Sequence, residues 1–99
     1  MDKKIISIDK DLEDLVPTYL ETRKKELVKL KELLNQNAAA EIAAIAHKLA
    51  GNAGGYGFQE LTDIGRRLES AGKASDKSLM TKEIENIAQY LDSVEVKFV

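Results

Sequence analysis

The sequence predicts an all-α protein, an up-and-down four-helix bundle with a short additional N-terminal helix. Three observations lead there. Apolar residues recur at alternating steps of three and four along most of the chain, the spacing that lines one side of a helix. Short polar or glycine-rich breaks separate these runs, and short connections fold neighbouring helices back on one another. The 99 residues, 1–99, show no internal repeat, linker or low-complexity tract. They read as one domain, long enough to bury roughly 60–70% of its unfolded surface.

Taken in order, the chain begins with Ile5, Ile6 and Ile8, a short apolar run that suits extended backbone. Asp9 or Ser7 then caps a short helix carrying Leu12, Leu15 and Val16. Pro17 fits the first turn of a longer helix, where its missing N–H has no intrahelical acceptor in any case. A proline kink joining the two segments is the other arrangement. Leu20, Leu27 and Leu34 fall at heptad spacing in the longer helix, with Leu30 and Leu33 on the same side, and the turn-prone Asn35-Gln36-Asn37 ends it. The next helix runs from about Ala38 to Asn52. Gly54, Gly55 and Gly57 crowd the turn that follows, where positive φ is most easily met by glycine. A third helix begins near Phe58, sets Leu61, Ile64, Leu68 and Ala71 on one face, and stops at Gly72. The fourth starts at Ser75 or Asp76. Met80, Ile84, Ile87, Leu91, Val94 and Phe98 carry its stripe almost to the C-terminus.

Composition removes several function classes. There is no cysteine, which excludes disulfides, thiolate metal sites and thiol catalysis. Fifteen basic and seventeen acidic residues leave a formal charge of −2, without the basic excess of a nucleic-acid binder. No run approaches the ~18 apolar residues of a membrane span, and the start MDKKIISIDK lacks a secretory apolar core. A cytoplasmic protein that binds neither nucleic acid nor membrane is the expectation.

The stretch AHKLAGNAGGYGF holds His47, the single histidine. A helical wheel gathers Ile42, Ile45, Ala46, Leu49 and Ala53 into a sector of roughly 80°, and His47 points about 150° away from its centre, toward water. Ala40, Ala43, Ala44, Ala50, Gly51 and Gly54 share that outer half, where exposed helices normally carry long polar side chains. Gly51 accepts about 1 kcal/mol of lost helix propensity relative to Ala. Such a face lets another protein's surface come close to the imidazole. One histidine without cysteine leaves only carboxylates as companion ligands, so no metal site is expected. A Ser-His-Asp site finds no defined partners. The glycine cluster follows a helix, whereas a nucleotide loop follows a strand. What remains for an exposed imidazole is nucleophilic chemistry: neutral imidazole can accept a phosphoryl group on nitrogen and pass it on.

At His47, Leu49, Gly51 and Gly57 the chain resembles histidine-containing phosphotransfer (HPt) domains, whose pattern is His-x-Leu-Lys-Gly followed after five residues by Gly. GGYGF, QELTDIGRRLESAG and the leading DLEDLVPTYLETRKKEL are similar to the same family, so the likeness spans essentially the whole chain. The resemblance implies a four-helix bundle with His47 as the phosphorylation site, loaded from and unloaded to receiver-domain aspartates. Gly51 would leave room beside the imidazole, with Lys48 as a phosphate neighbour. Ala40, Ala43, Ala44, Ala50 and Gly54 would form the docking face, and Gly55 and Gly57 the structural turn. It implies a monomeric phosphocarrier without catalysis or cofactor of its own, Mg²⁺ belonging to the receiver. The partners would be response-regulator receiver domains and a hybrid histidine kinase.

One position departs from the pattern. The family's lysine three residues after the histidine is Ala50 here, and Lys48 lies about 100° around the helix from His47. Lys48 reads either as a looser positive charge or as an ordinary solvated lysine. Asn52 reads as a helix terminator or a phosphate neighbour, and Tyr56 and Phe58 as plugs under the turn. Two other functions fit the composition. One is a non-phosphorylated HPt-like adaptor or inhibitor that docks a receiver or kinase. The other is an unrelated helical interaction module, which leaves the glycine inside an exposed helix face unexplained.

Overall fold

The computed structural model describes residues 3–99. In chain order it contains strand β1 (Lys4–Ile8), a 3-10 turn (Lys10–Leu12), helix α1 (Val16–Asn35) and helix α2 (Ala39–Asn52). A second 3-10 turn (Ala53–Tyr56), helix α3 (Gln59–Lys73), helix α4 (Lys77–Ser93) and strand β2 (Val94–Phe98) follow. The dominant packing pairs are α1–α2, α2–α3, α3–α4 and α4–α1, so the four helices close a ring in chain order around one core. Leu30, Leu33, Ile42, Leu49, Phe58, Leu61, Leu68 and Tyr90 are its largest fully buried side chains apart from Val16. The all-α bundle is as the periodicity predicts.

The boundaries follow local chemistry. Pro17 lies in the first turn of α1, which runs on unbroken to Asn35 rather than kinking into the preceding segment. Asn37, at φ 56°, turns the chain toward α2. Asp76 caps α4, its Oδ1 accepting the Leu79 N–H at 3.1 Å.

Three expectations are corrected. The short N-terminal helix is only the 3-10 turn at Lys10–Leu12, capped by Asp9; Val16 belongs to α1 and Leu15 is exposed. Gly72 does not stop α3, which continues to Lys73; Ser75, at φ 51°, makes the reversal. The fourth helix ends at Ser93. Val94, Val96 and Phe98 are half-buried and alternate with exposed Glu95 and Lys97, a period of two that matches a strand as well as it fits the helical step. Those β-branched and aromatic residues pair in parallel with β1, from Lys4 opposite Val94 to Ile8 opposite Phe98.

Candidate functional site

The site rests on the seam between α2 and α3. On α3, a Cβ placed on Gly65 would meet the Ala50 backbone N at 3.0 Å and the Ala46 carbonyl O at 3.2 Å. One placed on Gly72 would meet the Ala43 Cβ at 2.9 Å and the Ala39 carbonyl O at 3.0 Å. Ala39, Ala43, Ala46 and Ala50 therefore form a strip at helical spacing that lets the two backbones approach closely.

This corrects part of the expected docking face. Ala43 is 8% exposed and packs on Gly72, and Ala50 is half-buried against Gly65. The Ala43 side chain faces Gly72 of α3, and the Ala50 backbone faces Gly65. Gly54 is exposed but sits in the 3-10 turn, where an added Cβ would lie 3.3 Å from Thr62 Oγ1. Ala40, Ala44, His47, Lys48 and Gly51 remain open to solvent, and a Cβ on Gly51 would meet no described residue beyond its own turn of helix within 4 Å.

His47 projects from this helix with its side chain 75% exposed. Its Nδ1 lies 2.9 Å from Glu69 Oε2 on α3, and Lys73 Nζ lies 3.3 Å from that same oxygen. Desolvation pushes the Glu69 carboxyl up, but the hydrogen bonds and charges of Lys73 and His47 outweigh it and hold it below the usual carboxylate range. Glu69 is thus ionised at neutral pH, and a carboxylate only accepts. Nδ1–H must donate to it, which in the neutral ring leaves the lone pair on Nε2, pointing away from Glu69. Beside the ring runs a groove of about 690 Å³. Ala40, Ala43, Ala44 and Gly72 supply its apolar lining, and His47, Lys48, Glu69, Lys73 and Ser75 its polar groups.

The other singled-out residues hold the scaffold. Asn52 Oδ1 accepts the Tyr19 hydroxyl at 2.6 Å and Arg23 Nη1 at 3.3 Å, tying α1 to the end of α2. Arg23 also lies over the Tyr19 ring, 4.6 Å from its centroid. Tyr56 stacks on Tyr19 with centroids 4.2 Å apart and Phe58 lies beyond at 5.7 Å, so both aromatics pack under the turn as expected. Gly57 alone among the glycines has positive φ, at 96°, and its Cβ would sit 3.1 Å from Ile8 Cγ1. Gly55 lacks that conformation, so the turn's demand for glycine falls on Gly57.

Sequence reasoning missed Glu69 and Lys73. Their (i, i+4) spacing on one helix is a visible acid–base pair. Nothing local shows that Glu69 reaches a histidine 22 residues earlier.

The Hpt domain profile matches residues 14–96. The chain belongs to the Hpt domain family. Comparison with curated proteins and with solved structures gives no match. An Hpt domain has a histidine phosphotransfer role in phosphorelays and is a carrier rather than a catalyst, working with receiver domains and kinases. Among the described residues of this Hpt domain, no helix is long and apolar enough to cross a membrane.

Proposed function

We propose that His47 is the phosphoryl carrier, loaded from a receiver-domain aspartate of a hybrid kinase and unloaded to the receiver of a response regulator. The observation that supports this most directly is the exposed ring held at Nδ1 by Glu69, which leaves Nε2 as the free nucleophile beside a face of small residues. In loading, the Nε2 lone pair forms the N–P bond as the P–O bond of the aspartyl phosphate breaks, and the bonding pair leaves with the aspartate carboxylate. The imidazole proton stays on Nδ1, where Glu69 faces the positive charge that develops on the ring. No base is needed to remove a proton. Unloading runs the same steps in reverse, with Mg²⁺ and the acidic pocket supplied by the receiver. Gly51 leaves the approach to the ring open, and Ala40 and Ala44 extend the docking surface. Such a carrier works as a monomer in the cytoplasm. Its receiver complex is transient, burying no more than about 1,200 Å² in total.

The test is incubation with a radiolabelled phospho-receiver. Label should appear on the protein, survive base, hydrolyse in acid and disappear in His47→Gln. Label that persists in that variant, or that base removes, would exclude His47.

A further inference from the structure

The family lysine three residues after the histidine is absent, and Ala50 stands in its place on the seam between α2 and α3. Ala50 is half-buried against Gly65, with its backbone N 3.0 Å from where a Gly65 Cβ would stand. Two other lysines line the groove beside His47. Lys48, the neighbour in sequence, acts on Glu26 of α1, whose carboxyl burial pushes up while Arg23 and Lys48 pull it back. Lys73 belongs to the ring's own hydrogen-bond chain, since its ammonium shares the Glu69 oxygen that binds His47. Its side chain is 71% exposed, a four-carbon arm free to swing without disturbing the core.

Charge balance gives that arm a task. With Nε2 unmodified, Lys73 neutralises Glu69. A phosphoryl group on Nε2 would add close to two negative charges to a ring already facing a carboxylate, and like charges at this range raise one another's pKa. We propose that Lys73 is the cation of the phosphohistidine state, shared between Glu69 and the phosphoryl oxygens, and that this α3 lysine supplies the charge missing at Ala50. The inference rests on His47 being the phosphorylated residue.

Phosphoramidate, a small-molecule donor to histidine, allows a test without a partner. Wild type, Lys73→Ala, Lys73→Arg and Lys48→Ala are phosphorylated and titrated by ³¹P NMR. Lys73→Ala should raise the phosphoryl pKa by about half to one unit, with Lys73→Arg and Lys48→Ala titrating like wild type. Transfer from a phospho-receiver at low salt should fall roughly three- to tenfold in Lys73→Ala and be restored in Lys73→Arg. A side chain that only supported the fold would not move the phosphorus titration. Normal labelling with a wild-type titration in Lys73→Ala, or a shift in Lys48→Ala instead, overturns the assignment of Lys73 alone. Failure of the wild type to label at His47 overturns both this inference and the reading beneath it.

Discussion

Replacing Gly51 by leucine should separate stability from transfer. Gly51 is the penultimate residue of α2 and is exposed, and beyond its own turn of helix no described residue lies within 4 Å of its Cβ position. In a helix interior, Gly→Leu gains up to about 0.8 kcal/mol of propensity; in a last turn roughly half to all of this is expected. At about 4–8 °C per kcal/mol for a domain of this size, the midpoint should rise by roughly 2–6 °C. A helical side chain leans toward the N-terminus and over the preceding turn, so the new isobutyl group stands toward His47. A receiver kept about 1 Å from its reacting position loses on the order of a hundredfold in rate. The assays are circular-dichroism melting and single-turnover transfer from a labelled receiver. Gly72→Ala is the control, because its Cβ would overlap the Ala43 Cβ at 2.9 Å; overpacking there costs about 1–3 kcal/mol and the midpoint falls. A lower midpoint in Gly51→Leu would mean that Gly51 packs against a neighbour. Unchanged transfer in a stable Gly51→Leu would mean that the open face is not where the receiver approaches.

The acid side of the stability profile should depend on Glu69. Its folded-state pKa lies below the usual value, so its contribution is present above the unfolded pKa of about 4.3 and is lost as pH falls through the folded value. Urea melts should show a gap between wild type and Glu69→Gln at neutral pH that closes in acid; a gap constant with pH would refute this. On the alkaline side, burial and the charge of Glu60 push the Tyr90 hydroxyl up to about 12. The unfolded tyrosine ionises near 10, so stability should be lost between those two values, and Tyr90→Phe should remove that loss. Because the Tyr90 hydroxyl has no hydrogen-bond partner among the described residues, Tyr90→Phe should also be nearly neutral at pH 7, by denaturant titration. Asn52→Ala strands the Tyr19 hydroxyl and one Arg23 contact, and should lower stability by about 1–3 kcal/mol in the same assay.

How far the sequence could be read depended on which periodicity stood alone. In α1 and α3 the apolar stripe competes with no other pattern, and Pro17, Asn37 and Asp76 mark ends that the structure keeps. At the C-terminus, Val94-Glu95-Val96-Lys97-Phe98 fits a step of four and also a step of two. The choice between them depends on β1, about ninety residues away in the chain. The outward direction of His47 followed from the wheel alone. Its partner Glu69 did not, because a wheel carries no information about the axial register between two helices. Glycine was ambiguous in the same way. Gly51, exposed on α2, and Gly72, buried on α3, are both helical glycines, and only the neighbouring backbone tells open space from close contact.

The alanines and glycines around His47 therefore have two causes that meet at one residue. Gly65, Glu69 and Gly72 follow one another on α3 at steps of four and three, so they share a face. That face lies on the alanine strip of α2, and His47, one turn after Ala43, stands at its edge. The two glycines permit the close approach, and Glu69 between them is carried to within 2.9 Å of the imidazole. The orientation of the ring thus depends on the smallness of two glycines on the neighbouring helix. A side chain at position 65 or 72 would widen the seam and draw Glu69 away from Nδ1 even where the bundle survives. The fixed tautomer, and with it the free lone pair on Nε2, would then be lost before the fold.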